Sequence, residues 1–376
     1  MSAVAIVPVR TAEEKRAFLR LPERLYAGDP NWVCPLRIER RDFFDPGKNP
    51  FFDGADVQLF LARQEGRWAG RISAHIYHAH NHVHNEQTGF FGFFDCEEDY
   101  EVAAALWDAA RTWLTARKMD RMRGPANFTT NHEAGFLADG FDHPPVVMMT
   151  YNPRYYITFA ERYGFTKAMD MYAYYEHKST AVPERVIRLV ERIRKRSGAT
   201  VRSLDMRKFT EEVETIQTIY DQAWAPNWGF VPMTPAEFAH MAQDLRQIID
   251  PRIILFAEVE GQIVGFTLAL PDVNQVLIRL KGKLLPFGLL KLLWHLKVRR
   301  SIDRIRVLVM GVLPEYQKRG IDHLMHFEVR ERAIAAGYDD AELSWVLETN
   351  TMMSAIAESI GAERYKTYRM YDLPLT

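Results

Sequence analysis

The stretch Val307-Leu-Val-Met-Gly-Val-Leu-Pro-Glu-Tyr-Gln-Lys-Arg-Gly-Ile-Asp-His-Leu-Met325 changes character twice within nineteen residues. Its first half is a run of apolar residues suited to a buried strand, which Pro314 and Gly320 interrupt. Beyond the glycine, Leu324, Met325 and Phe327 recur near helical spacing, so the pattern predicts strand, turn and amphipathic helix. Such a turn directs backbone N–H groups outward at a helix N-terminus, where partial positive charge collects, and Lys318 and Arg319 add formal charge beside it. That combination is a phosphate cradle. The same order continues downstream: Ala341 to Leu347 reads as the next strand, Glu348-Thr-Asn350 ends it, and Met352 to Ile360 reads as a short helix closed by Gly361-Ala362.

The run resembles the pyrophosphate-binding segment of the GNAT superfamily of acyl-CoA N-acyltransferases, in which Gln/Arg-x-x-Gly-x-Gly/Ala follows a strand. Gln317 and Gly320 match that pattern, whereas its last position holds Asp322. The resemblance implies that Met310, Gly311, Val312, Gln317, Lys318, Arg319, Gly320, Ile321 and Asn350 bind the thioester donor. The donor is acyl-CoA or an acyl carrier protein thioester, used as co-substrate, with no cofactor bound permanently. Direct acyl transfer to an amine needs a base, and Glu348, at the end of a strand beside the thioester, is the candidate. Backbone amides near Gly311 and Val312 would serve the oxyanion.

The chain is doubled. Pro30-Asn31-Trp32 returns as Pro226-Asn227-Trp228, 196 residues later (226 − 30). Gly66-x-x-x-Gly70 returns as Gly261-x-x-x-Gly265, and Asn152 with Gly164-Phe165 returns as Asn350 with Gly361-Ala362. Nearly constant offsets over most of the length predict two copies of one fold. The expected fold class is α/β: two tandem GNAT-like domains, each a mixed, mostly antiparallel β-sheet flanked by helices. The expected boundaries are 1–178 for a degenerate copy, 179–198 for a basic helical linker, and 199–376 for the donor-binding copy. Where the second copy has its phosphate turn, the first reads Phe93-Phe-Asp-Cys-Glu-Glu-Asp-Tyr100. Its four carboxylates would repel a pyrophosphate, although carboxylates also suit an ordinary helix N-terminus.

Gly124-Pro-Ala-Asn-Phe-Thr-Thr-Asn-His-Glu-Ala-Gly135 follows the first copy's fifth strand and is rich in polar groups. Asn127, Asn131 and Glu133 are candidate acceptor contacts, with His132 a second candidate base. In Tyr151-Asn-Pro-Arg-Tyr-Tyr156, Tyr151 and Asn152 are further substrate candidates, and the Tyr155 hydroxyl a candidate proton donor to a leaving thiolate. Packing is the competing role for these aromatics. His75, His78, His80, His82 and His84 crowd one segment read as a hairpin, whose alternate residues would share a strand face. No carboxylate or Cys stands at ligand spacing within that strand, so no metal site is expected.

Net charge is −1, which gives no electrostatic reason to bind nucleic acid. Cys34 and Cys96 are the only cysteines, fitting a reducing, cytoplasmic setting. No segment has the uninterrupted apolar length to span a bilayer. Residues 273–302, however, contain no Asp or Glu, and Arg279, Lys281, Lys283, Lys291, Lys297, Arg299 and Arg300 interleave with leucines, Phe287 and Trp294. This is the composition of an interfacial amphipathic segment, and it predicts peripheral contact with an anionic membrane; a core helix with cationic flanks or a dimer contact is the alternative.

The degenerate first copy, the Gly124-Pro-Ala-Asn loop, Gly140-Phe-Asp-His-Pro-Pro145, Glu348-x-Asn350 and Lys366-x-Tyr-Arg-x-Tyr371 together resemble the bacterial ceramide synthase group. That resemblance implies a long-chain acyl donor and a lipid amine acceptor, such as a sphingoid base or its 3-keto form. Acetylation of a soluble amine or amino acid, and non-catalytic acyl-CoA binding, are the alternatives.

Overall fold

The computed structural model describes residues 3–283, 294 and 301–375. Most of the 273–302 segment therefore lies outside the described residues: α9, Asn274–Leu280, opens it, and Trp294 is exposed. The chain forms two compact units whose boundary differs from that of the sequence repeat. Unit 1 holds residues up to Asp170, the described part of 277–288, and the tail from Thr367; unit 2 holds Met171 to Val276 and the described residues up to Lys366.

Unit 1 begins with β1, Ala5–Pro8, and α1, Ala12–Leu25. The Thr11 hydroxyl accepts from Glu14 N–H while Glu14 reaches back to the Thr11 N–H, a capping box that satisfies two otherwise unpaired donors at the helix start. After α2, Arg37–Phe43, the strands β2, Ala55–Gln64, and β3, Arg67–Tyr77, form a hairpin closed by Glu65-Gly66. The segment expected to continue as a histidine-rich hairpin is instead a helix, α3, His78–His84. With helical spacing its alternate histidines do not share a face, and no metal-binding group of His, Cys, Asp or Glu occurs among the described residues.

Next come β4, Thr88–Cys96, α4, Tyr100–Thr115, and β5, Arg121–Gly124. The short pair β6, Ala126–Asn127, and β7, Glu133–Ala134, stands apart from the main sheet; β8, Phe136–Asp139, and α5, Tyr155–Tyr163, follow. Strands β1 to β4 pair antiparallel and β4 runs parallel to β5. Beneath α4 an aromatic core forms, in which Phe94 and Trp107 stack at 4.5 Å.

Unit 2 repeats this plan. It contains α6, Glu184–Ser197; β10, Thr200–Ser203; α7, Phe209–Trp224; and α8, Pro235–Leu245. The hairpin β11, Ile254–Val259, and β12, Gln262–Pro271, closes through Glu260-Gly261, matching Glu65-Gly66 of unit 1. Then follow β13, Arg304–Val312; α10, Ile321–Ala336; β14, Asp340–Leu347; and α11, Thr351–Ser359. β13 is antiparallel to β12 and parallel to β14. One core lies under α6 and α10, and another under α7 and α8.

The final strand of each copy completes the other unit's sheet. In β9, Thr166–His177, the residues from Met171 pair with β14 in unit 2. In β15, Glu363–Pro374, the residues from Thr367 pair with β5 and β8 in unit 1.

Candidate active site

In unit 2, β13 and β14 pair only from Arg304↔Asp340 to Val307↔Leu343, and then part. The cause is visible one residue later: Leu268 pairs with Val309 and Ala269 with Val307, so Leu308 is an extra residue. A bulge bends its strand and sharpens the local twist, which here takes β13 away from β14 while its pairing with β12 continues to Val312. The Trp224 indole N–H donates to the Met310 carbonyl at 2.9 Å, and the Gln317 amide donates to the Val312 carbonyl at 3.0 Å. Neither carbonyl is thereby turned toward β12. In a strand, a residue's N–H and C=O share an edge, so the Met310 and Val312 N–H groups belong to the edge that has left β14.

The turn beyond β13 is the segment expected to cradle a phosphate. Pro314–Tyr316 form a single 3-10 turn, Lys318 and Gly320 take positive φ, and Gly320 is the N-cap of α10. Lys318 and Arg319 are exposed, and Arg319 lies over the Tyr316 ring. Asp322, which departs from the family pattern, accepts from the His323 N–H at 2.9 Å and from its ring at 3.2 Å. Burial works against ionisation of Asp322, but these His323 hydrogen bonds hold its carboxyl below its ordinary range. Gly320 also has a packing reason: a Cβ there would come within 2.6 Å of Ile193 on α6. Ile321 is buried. Glu348 is half-buried in the turn after β14, and Asn350 caps α11 through the Met353 N–H.

Unit 1 parts its parallel strands too, after Phe90↔Arg123, but fills the gap with its own chain. The Asn127 side chain accepts from Phe93 N–H at 2.6 Å, and a Cβ on Gly92 would lie 1.9 Å from the Ala126 carbonyl oxygen, so only glycine permits the approach. Phe128 is buried between Phe43 and Phe51. Three of the four carboxylates that distinguish this copy are engaged as well. Asp95 binds Tyr26 and Arg71, Glu97 pairs with Arg24 and Arg67, and Asp99 caps α4.

The polar loop residues meet one another. Glu133 pairs with Arg40 at 2.6 Å and accepts from Asn127; His132 and the Asn131 N–H both bond the Thr129 hydroxyl. The other three candidates of this copy go elsewhere. Asn152 clamps Leu137, accepting from its N–H and donating to its carbonyl. Tyr151 donates to Asp29 and Tyr155 to the Cys96 carbonyl, and burial first of all pushes both phenols up.

A cluster that sequence reading passed over lies at the root of the unit 2 gap. Arg306 and Glu342 are register partners, and the Ser344 hydroxyl donates to Glu342 at 2.5 Å while accepting from Arg306 at 3.0 Å. Tyr365 donates to the other Glu342 oxygen, and Lys366 lies over the Tyr365 ring. Arg306, Glu342, Ser344, Lys366 and nearby Asp272 are all buried. The signal was the alternation of polar residues at 304 and 306 and at 342 and 344, which ordinarily marks a solvent face.

Two units of this plan, each parting a pair of parallel strands, define a tandem GNAT fold. Solved structures agree: a tandem GNAT protein from the clavulanic acid biosynthesis pathway superposes over 100% of this chain and 99% of its own, with TM-score 0.58 and 11% identity. A GCN5-related N-acetyltransferase from Sphaerobacter thermophilus does so over 98% and 96%, with TM-score 0.53 and 13% identity. No family model matches the chain. Among curated proteins, the bacterial ceramide synthase of Caulobacter vibrioides is 42% identical over 99% of this chain and 98% of its own length. Protein YghO of Escherichia coli is 36% identical over 95% and 92%. The chain belongs to the bacterial ceramide synthase family, and is an N-acyltransferase.

Proposed function

We propose that this enzyme moves a long-chain acyl group from acyl-CoA to the amine of a lipid such as a sphingoid base. The observation that carries the transfer is the parting of β13 from β14 above the Gln317–Gly320 turn. The name of the Caulobacter relative supports the lipid acceptor, and the basic, leucine-rich 273–302 segment supports an encounter at an anionic membrane surface. Main-chain groups at Gln317 to Ile321 hold the donor phosphate, with Lys318 and Arg319 as counter-charges. The Met310 and Val312 N–H groups receive the carbonyl oxygen, and Glu348 takes a proton from the attacking amine. The polar groups of the Asn127–Glu133 loop bind each other, which gives unit 1 a supporting role. Incubation with acyl-CoAs of graded chain length and a panel of amines, following thiol release and amide formation, tests the reading. Turnover confined to acetyl-CoA and soluble amines would overturn it.

A further inference from the structure

The Glu342 cluster is costly to keep. A buried carboxylate needs compensation, and well-packed apolar residues often match or exceed the stability of a buried ion network. Its location points to a use. Val307 and Leu343, the last register pair before β13 and β14 part, enter the core with Val190 and Ile193 of α6 and Leu324 and Met325 of α10. Side chains alternate across a strand, so Arg306 and Glu342 lie on the opposite face of the sheet, and Ser344 joins them there. Ser344 is the first residue of β14 on that face beyond the last pair, at the root of the gap. Its hydroxyl is already hydrogen-bonded to a carboxylate oxygen at 2.5 Å, and Arg306 orients it.

We propose that Ser344 and Glu342 are the proton path of the acyl transfer. The inference rests on the reading of the enzyme as a thioester-to-amine acyltransferase. The amine nitrogen attacks the thioester carbon, forming the C–N bond. Glu348 takes the first proton, from the substrate ammonium before attack; the second, on the nitrogen of the tetrahedral intermediate, passes to the Ser344 oxygen as the hydroxyl's own proton passes to Glu342. Collapse of the tetrahedral intermediate breaks the C–S bond, and the proton on Glu342 returns through Ser344 to the departing sulfur. One proton has moved from nitrogen to sulfur, and both side chains end as they began.

The surrounding charges suit a carboxylate that gains and loses a proton. Lys366 lies over the Tyr365 ring on its own strand and is acted on by Glu342 on β14, Arg304 on β13 and Asp272 beyond β12; behind these, Asp340 bonds both Arg304 and Tyr175 of β9, and Arg306 is the register partner of Glu342. Burial draws the Lys366 ammonium down to about 8, Glu342 and Asp272 oppose that, and Arg304 adds to it. Lys366 is thus a positioning residue whose charge beside Glu342 disappears above that pH.

The test compares Ser344→Ala, Ser344→Thr and Glu342→Gln with the wild type, measuring amide formation, acyl-CoA binding and thermal midpoint. The expected result is a loss of about 100-fold or more in kcat for Ser344→Ala and Glu342→Gln, with acyl-CoA affinity held within about twofold. Ser344→Thr, which keeps a hydroxyl, should recover most of that loss. The wild-type kcat profile should inflect near pH 8, and Lys366→Met should remove the inflection. Should Glu342→Gln fail to fold, Ser344→Ala decides, because it leaves every charge in place. Full kcat in Ser344→Ala overturns the inference while leaving the acyltransferase reading intact. Absence of amide from every amine in the wild type overturns that reading instead.

Discussion

Arg123 and Asp372, 249 residues apart in sequence, face each other through two hydrogen bonds of 2.8 and 2.9 Å. They fasten the end of β15 to β5 inside unit 1, where Arg123 is buried. Asp372→Asn leaves the guanidinium with only part of its compensation, and should cost about 2–3 kcal/mol by denaturant titration. Removing residues 367–376 should be worse, exposing the edges of β5 and β8 together.

Gly320 serves two masters, a positive φ and the close approach of Ile193. Gly320→Ala should therefore lower the thermal midpoint and raise the KM for acyl-CoA. Adding Ile193→Ala relieves the clash, and should restore part of the stability while leaving KM high. A KM that recovers in parallel with the midpoint would assign the glycine to packing alone.

Glu348 and His132 can be separated kinetically. With Glu348 as base, Glu348→Gln lowers kcat sharply and leaves acyl-CoA affinity nearly unchanged, whereas His132→Ala keeps kcat within about twofold. The opposite pattern would place the base in the Asn127–Glu133 loop.

Acid should unfold the protein through three histidines. Burial, the first cause in each case, draws His75, His80 and His326 down to about 4. Above about pH 6.5 both folded and unfolded forms are neutral and these groups cost nothing. As pH falls from there toward 4, the unfolded chain binds protons that the folded chain refuses, and stability declines. Denaturant midpoints between about pH 7 and 4 should fall steadily, and His75→Gln should flatten the slope.

The second copy's central order of strand, turn and helix was legible because each element has its own local signal: an apolar run, a Pro and Gly break, a return at helical spacing. Doubling was legible from repeated turn sequences. The exchange of last strands was not, since ladder bonds are made by backbone, and alternation in β9 or β15 specifies which side chains face the core without naming the neighbouring strand. The histidine segment misled because spacing by two suits a strand only if the backbone is extended, and α3 is helical. The Glu342 cluster misled for a related reason: polar alternation marks water only when the second face of a sheet is wet.

Membrane contact has its own test. Lys281, Lys283, Lys291 and Lys297 changed together to Glu should release the protein from anionic vesicles, with each lysine contributing about 1 kcal/mol at low salt. Turnover of a long-chain acceptor presented in vesicles should drop while that of a short soluble analogue persists. Equal loss on both acceptors would indicate a packing role.

The strand exchange between copies bears on how such a polypeptide is made and maintained. During synthesis, β14 and the second copy must emerge before β9 can pair along Met171 to His177, and unit 1 must wait for the last ten residues of the chain. Neither copy is a module that recombination could transplant by cutting between residues 178 and 199. Each fragment would carry an orphan strand and lack another, so two such pieces expressed together should find each other and reassemble, while either alone should precipitate or dimerise through its unsatisfied edge.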